Sequence, residues 1–511
     1  MGPRRKLLLV LPVALVAGTL TLSSCSTLPA LDRREASTAL QGTDDTRLGR
    51  AVAPASMAHP SLAGIHVLAD GPDAFAARVV LAQLAERSLD VQYYIWRNDT
   101  TGTLLLDALR TAAERGVRVR LLLDDNNTAG LDSVLAQLDA HPRIEVRLFN
   151  PFAIRGMRSL GFVTDFARLN RRMHNKSFTA DNQVTIVGGR NVGDEYFGAA
   201  GEVAFADLDV LTAGPVVREV SGDFDRYWNS PSAYPLAVLV PDPGAPPVRD
   251  VDPAAATYLD AIGRSTFLEQ LGAGKLPFSW APTRMVSDDP AKVMGAGDAD
   301  RQVAAELKKL FGEPQRSMDL VSPYFVPGKD GAQAVIALAD KGAKIRILTN
   351  SLEATDVAAV HAGYAKWRKP LLEAGITLYE LRQQWTDEPS PQKRESAAFG
   401  SSDASLHAKT FGVDGNRIFV GSFNFDQRSI HLNTEMGLVI DSQELAQQLA
   451  DRLDKNMPGR AYEVRLDEKG KLYWVERAQG KIIRHDTEPG TTWWKRAAVK
   501  GLSWLPIDWL L

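Results

Sequence analysis

His174-Asn-Lys176-Ser-Phe-Thr-Ala-Asp181, continued by Asn182-Gln-Val-Thr-Ile-Val187 and Gly188-Gly189-Arg190-Asn191, returns downstream in the same chain. The second copy reads His407-Ala-Lys409-Thr-Phe-Gly-Val-Asp414, then Gly415-Asn-Arg-Ile-Phe-Val420 and Gly421-Ser422-Phe423-Asn424. His and Lys two residues apart on an extended segment project to one face, so an imidazole and an ammonium reach one pocket together. Asp closes a short turn, a β-branched strand follows, and the glycines are expected to let backbone approach a ligand to which Asn offers an amide. A single His-x-Lys is an ordinary surface strand. Two copies with matching flanks predict a site.

The surrounding chain is duplicated as well. Ala74 to Arg87 has apolar residues at helical spacing, Ser88 to Trp96 reads as a buried strand, Gly102 to Arg115 as a helix ended by Gly116, and Val117 to Leu123 as the next strand. Downstream, Val303 to Phe311, Ser317 to Phe325 and Lys341 to Leu348 repeat this order at nearly constant offset. The rhythm predicts an α/β fold with a largely parallel sheet covered by helices, made twice. The expected division is a first domain over 63–230, a linker over 231–279, a second domain over 280–460 and a C-terminal extension over 461–511. The duplicate halves are expected to face each other and share one pocket. Asp124-Asp-Asn-Asn127 reads as a turn at a strand end, since no His or Cys lies beside it.

At the N-terminus, Arg4-Arg5-Lys6 precedes an apolar run from Leu7 to Leu22 and then Ser23-Ser24-Cys25. Residues 1–24 read as a signal peptide. The segment resembles a bacterial lipobox, which implies lipidation of Cys25, a tether over 25–62 and a protein anchored facing the periplasm; Ser26 resembles the outer-membrane sorting pattern. Cys25 is the one cysteine, so neither an internal disulfide nor a cysteine metal cluster can form. The formal charge of −3 falls by three to −6 when Arg4, Arg5 and Lys6 leave with the leader, which argues against a nucleic-acid partner. Tyr462 to Asp486 reads as short antiparallel strands, and the tail after Pro489 carries Trp493, Trp494, Trp504 and Trp509 among basic and aliphatic residues, a composition suited to a membrane surface, with a plain packed terminal helix as the alternative.

Two His and two Lys without evident metal ligands suit phosphodiester chemistry. Lys176 and Lys409 can neutralise charge on the phosphate oxygens, Asn191 and Asn424 can donate to them, and the imidazoles can act as nucleophile and acid. No cofactor or metal is expected. Each imidazole needs an acceptor on its second nitrogen, and Asp207 and Glu435, at equivalent positions after the two motifs, are the candidates, with Asp209 weaker. Asp181 and Asp414 complete the motifs as catalytic candidates, but their place past the turn suits bracing the hairpin.

The paired His-x-Lys-x4-Asp motifs with their Gly-Gly/Ser-x-Asn followers resemble the phospholipase D superfamily. Tyr93-Tyr-Ile-Trp96, Leu121 to Asn127, Arg171 to Lys176, Phe205 to Asp209 and Gly421 to Asn424 narrow the resemblance, from about Ala63 onward, to bacterial cardiolipin synthases of the C type. This implies two phospholipase D-like α-β-α sandwich domains packed face to face around one active site. It also implies a phosphatidyltransferase acting through a phosphohistidine, with phosphatidylglycerol as acceptor and phosphatidylethanolamine as donor. The superfamily's usual route implies that His174 attacks and His407 is the acid/base. A monomer is expected. Water as acceptor would make the protein a phospholipase D; a periplasmic nuclease and a headgroup-binding lipoprotein are the remaining alternatives.

Overall fold

The computed structural model describes residues 28–32, 34–199, 204–240, 253–273, 275–297, 302–355, 357–383, 404–478, 480–505 and 510–511. The expected signal peptide and Cys25 lie outside them. Among the described residues, no helix is long and apolar enough to cross a membrane.

Each half is built around one mixed sheet. In the first, Ser88–Ile95, Arg118–Asn127 and Ile144–Phe149 run parallel. The motif hairpin, Ser177–Ala180 and Val184–Gly188, adds to Ser88–Ile95 antiparallel, followed by Asp209–Ala213 and Ala63–Leu68. The second sheet repeats the plan with Ser317–Val321, Lys344–Asn350 and Thr377–Leu381 parallel and the hairpin Lys409–Val413/Arg417–Gly421 antiparallel beside them. The expected parallel sheet therefore holds only for the three strands joined by helices. The hairpins are antiparallel because their turns are too short for a crossover.

Helices form where the caps say they should. Gly71–Leu84 starts at Asp70, whose carboxylate accepts from the Asp73 N–H at 3.2 Å. Thr100–Glu114 starts at Asp99, which accepts from Gly102 N–H at 2.9 Å, and ends before Gly116 at φ +98°.

The described parts of the segment expected as a linker are folded onto the first half. Ser279–Ala281 is an edge strand of the first sheet against Ala63–Leu68, and helices Pro253–Gly263 and Thr266–Gly272 pack against Gly71–Leu84. The chain crosses at Pro282, and Thr283–Ser287 at once begins the edge of the second sheet. Ile65, Val187 and Val210 from one half and Val321, Ile418 and Leu438 from the other form a shared apolar core. At about 1.5–3 kcal/mol for each fully buried aliphatic side chain, that core holds the halves as one body.

The described part of the expected tether is folded as well. From Arg34 it lies on the first half: Ser37 O accepts from Arg120 Nη1 at 2.9 Å and Glu35 O from Arg147 Nη2 at 2.6 Å. Both arginines are buried, and buried guanidinium N–H groups need acceptors. A capped helix, Arg47–Ala58, follows. The C-terminal extension adds Ala461–Leu466, Leu472–Ala478 and Lys481–His485 antiparallel to the second sheet, then the helix Trp493–Leu502.

Candidate active site

The two motifs meet where the halves face each other, and each borrows backbone from the other. The His174 N–H donates to Thr434 O at 2.8 Å, and the His407 N–H donates to Ala206 O at 2.8 Å. Thr434 and Ala206 each stand one residue before a candidate carboxylate. The side chains follow the same exchange. His174 Nδ1 lies 2.8 Å from Glu435 Oε2, and His407 Nδ1 lies 2.5 Å from Asp207 Oδ2. The carboxylates are paired across the halves, each with the imidazole of the other motif. Asp209 stands elsewhere, accepting from Arg78 Nη2 at 2.8 Å and from the Arg190 N–H at 3.1 Å.

A carboxylate on Nδ1 selects the tautomer with hydrogen there and leaves Nε2 with its lone pair. Both imidazoles are buried among cations. Burial, then the charges of Lys176 and Lys409, hold His174 well below the ordinary imidazole value. Burial and Lys409 push His407 down to about 4 against the opposing pull of Asp207. Lys176 is itself lowered well below an ordinary lysine by burial and by Lys409, although Glu435 opposes this. Lys176 Nζ donates to His174 O at 2.6 Å and lies 5.4 Å from the Tyr94 ring centre; Lys409 Nζ donates to His407 O and lies 2.9 Å from His407 Nδ1. Each lysine is thus folded against its own histidine, and two buried cations share one small region. An anion entering it would relieve that repulsion.

The two carboxylates differ. Burial pushes Glu435 up to about 7 in spite of Lys176 and the hydroxyls of Ser422 and Ser429, which donate to Oε2 at 2.5 Å and Oε1 at 2.8 Å. Asp207 is buried too, yet His407, Lys409 and Arg190 hold it below the usual carboxylate range.

Asp181 and Asp414 sit at the far end of their hairpins, at φ +53° and +54°. Asp181 Oδ1 accepts from the N–H groups of Arg87 at 2.7 Å and Ser88 at 2.9 Å, and Oδ2 from Glu86 at 3.0 Å. Asp414 does the same for Gln315, Arg316 and Ser317. They brace the start of the neighbouring strand and stay out of the pocket. The glycines also serve a purpose other than ligand approach: a Cβ on Gly189 would stand 2.1 Å from Asp207 Oδ1, and one on Gly421 2.4 Å from Met436 O. They admit the carboxylate-bearing strands. Asn191 is bound within the protein, accepting from the Ile95 N–H at 3.1 Å and donating to the Tyr196 hydroxyl at 3.1 Å. Asn424 is nearly buried, and its Oδ1 has no protein partner.

Several residues that flank the imidazoles lie outside the two motifs, Tyr94 and Phe205 in stretches that carried the resemblance. Tyr94 meets His174 edge-on at 4.9 Å, while Tyr196 and Phe205 flank His407 at 5.1 and 5.2 Å. Asp124, expected in a turn, lies inside the strand Arg118–Asn127, and its Oδ2 accepts from the Met173 N–H at 2.8 Å, fixing the residue before His174.

Residues 80–228 and 307–457, one stretch in each half, match the family described as "Cardiolipin synthase, PLD-like domain". The chain belongs to this family. It is an enzyme, a phosphatidyltransferase of the phospholipase D type. It is 51% identical over 473 residues to cardiolipin synthase C of Escherichia coli K12, covering 91% of this chain and 100% of that one. A cardiolipin synthase of Geobacillus kaustophilus is 27% identical over 72% of this chain and 61% of its own length. In fold, the chain is similar to the phosphatidylserine synthase of Haemophilus influenzae, with a TM-score of 0.58 at 15% identity over 90% of this chain and all of that one.

Proposed function

We propose that the enzyme makes cardiolipin by moving a phosphatidyl group from phosphatidylethanolamine to phosphatidylglycerol. The observation that carries this reading is the crossed pair of imidazole–carboxylate contacts beside two buried ammoniums, in a chain 51% identical to cardiolipin synthase C. His174 Nε2 attacks the donor phosphorus, a P–N bond forms, and the P–O bond to ethanolamine breaks. Lys176, Lys409 and Asn424 bind the phosphate oxygens as charge shifts onto them. The anion offsets the two ammoniums that keep His407 neutral, so His407 can take up a proton and pass it to the departing alkoxide. The now neutral His407 removes the proton from a glycerol hydroxyl of phosphatidylglycerol. That oxygen attacks phosphorus, the P–N bond breaks and His174 is restored. Asp207 and Glu435 hold the imidazoles in the working tautomer, while Asp181, Asp414 and Asn191 position the motif strands.

Leu22-Ser23-Ser24-Cys25 supports an acylated Cys25 and an enzyme working from the periplasmic side, anchored in the outer membrane, and the exposed Trp residues of the tail support contact with the membrane surface. The protein needs no nucleic acid and acts as a monomer, since both motifs lie in one chain.

Purified protein incubated with both phospholipids is expected to yield cardiolipin and free ethanolamine, read by mass spectrometry. Phosphatidic acid as the sole product would make water the acceptor and overturn the synthase reading. Activity is expected to survive a chelator, because lysines supply the charge a divalent ion would otherwise bring.

A further inference from the structure

Large apolar side chains stand in water at two places far apart in the chain. In the first half, the short helices Arg158–Thr164 and Phe166–Leu169 lie just before the His174 motif. There Met157, Leu160, Val163 and Phe166 are 57%, 40%, 82% and 44% exposed. Leu160 and Val163, three apart on one helix, share a face, while Phe162 turns inward onto Phe152. At the other end of the chain, Trp493, Trp494, Trp504 and Leu505 are 75%, 60%, 78% and 49% exposed. Their helix, Trp493–Leu502, packs on the second half through Val499, against Leu352 and Ala362. It carries Lys495, Arg496 and Lys500 and no carboxylate.

Arg428 joins the two groups. Its Nη1 donates to Asn170 Oδ1 and to Leu510 O, each at 3.0 Å, and its Nη2 donates to Asn170 O at 2.6 Å. Its backbone N–H donates to Leu511 O at 2.7 Å. Asn170 directly follows Phe166–Leu169, and Leu510 lies six residues past Trp504. Arg428 belongs to the helix Gln427–His431, whose Ser429 holds Glu435, the partner of His174. One guanidinium thus ties Asn170, which follows the apolar stretch of the first half, to Leu510 at the C-terminus, beside the Ser429 that holds Glu435.

We infer that Met157–Phe166 and Trp493–Leu505 form one two-part docking rim, which seats the His174 side of the pocket on a bilayer containing anionic phospholipid. This rests on the reading that the substrate is a membrane phospholipid. Soluble proteins seldom leave apolar side chains of this size grouped in water. Tryptophan beside aliphatic residues is at home at headgroup depth, and a helix with three cations and no carboxylate complements an anionic surface. The tail was legible as an interfacial element from its tryptophans; the second part, beside His174, is what the fold adds.

The test uses the chain from Ser26 onward, without the leader and Cys25, so that neither the apolar run Leu7 to Leu22 nor an acyl group contributes. Amide hydrogen exchange is measured with vesicles of phosphatidylcholine alone and of phosphatidylcholine with phosphatidylglycerol. The mixed vesicles are expected to slow exchange over 157–166 and 493–505 together. In sedimentation with the same vesicles, M157S/V163S is expected to bind at least 10-fold more weakly than its parent, as is W493S/W504S. Both are expected to keep the parent's turnover of a short-chain phospholipid dispersed as monomers, which also shows that they fold. Protection confined to 493–505, or undiminished binding by M157S/V163S, would overturn the two-part rim. If the parent turned over no monomeric phospholipid, the substrate reading would fail, while the exchange and sedimentation results would still decide the rim.

Discussion

His174 against Glu435 and His407 against Asp207 are the same contact made twice, and they differ in what surrounds the carboxylate. Glu435 is held by two serine hydroxyls in a buried place that raises it to about 7; Asp207 has His407, Lys409 and Arg190 near it and stays below the carboxylate range. Duplication gave both halves one geometry, and the neighbours gave them different proton affinities. That difference fits a division of labour. The imidazole that gives and takes protons in both steps is best served by a carboxylate that is always ionised, because the imidazolium it forms is then always stabilised. The attacking imidazole needs its Nδ1–H held, and a carboxylate that titrates near neutrality holds it only above its own pKa.

Removing either imidazole should have the largest effect. His174→Ala and His407→Ala are each expected to lower kcat by at least about 1000-fold, since one abolishes covalent catalysis and the other acid–base catalysis. The two separate when phosphatidylethanolamine labelled in its phosphatidyl group is used and protein-bound label is counted. His407→Ala should accumulate label, slowly formed and slowly discharged, and His174→Ala should show none. Label on His174→Ala and not on His407→Ala would exchange the roles of the two halves.

Neutralising the carboxylates comes next. Asp207→Asn is expected to cost about 100-fold in kcat/KM at pH 7.5 and Glu435→Gln about 10-fold, the range found when groups that orient an imidazole are removed. Equal losses would mean that the difference in environment has no catalytic consequence.

The pH profile tests the same asymmetry without removing a site group. As pH falls through about 7, Glu435 takes up a proton and loses the charge that holds His174 Nδ1–H. The kcat/KM of the parent, which reports free enzyme, should therefore fall on the acid side with an apparent pKa near 7. Asp207, held below the usual carboxylate range, adds nothing to that limb. Glu435→Gln should lower the plateau and remove the limb. A limb that persists unchanged in Glu435→Gln would assign it to another group.

Much of this site was legible before any coordinates. His174, Lys176, His407 and Lys409 are marked by spacing on extended segments, and the duplication is marked by two copies of the strand and helix order. Asp207 and Glu435 could be found by aligning the halves, but their crossing could not, because an alignment relates positions within each half and says nothing of contacts between residues 200 or 261 apart. The glycines were read as making room for a ligand when they make room for Asp207 and Met436; sequence shows that space is needed, not what fills it. The segment 25–62 looks like a tether by composition, because nothing in the sequence shows that its backbone carbonyls meet the buried Arg120 and Arg147. Met157–Phe166 gives no signal in the sequence because its helices are too short to show a period.

The smallest expected effect concerns the end of each motif, where the halves again share a geometry and differ in burial. Asp181 is fully buried, whereas Asp414 is partly open to solvent, and each carboxylate collects three backbone N–H groups. Hydrogen bonds to a charged acceptor contribute about 1.5–3 kcal/mol when buried and less where water competes. Asn keeps the side-chain shape and tolerates positive φ, so Asp181→Asn and Asp414→Asn remove the charge and one of the two acceptor oxygens without straining the turn. Asp181→Asn is expected to cost about 2 kcal/mol and Asp414→Asn less than about 1 kcal/mol in denaturant unfolding, each with kcat within about twofold of the parent. Burial raises Asp414, but the three N–H groups outweigh it and leave the folded value below the ordinary one. Its contribution is therefore complete above the unfolded carboxylate pKa of about 3.9 and is lost as pH falls through the lower folded value. A large loss of kcat in Asp181→Asn at unchanged stability would place that carboxylate in the chemistry, and the division between a catalytic end and a bracing end of each motif would fail.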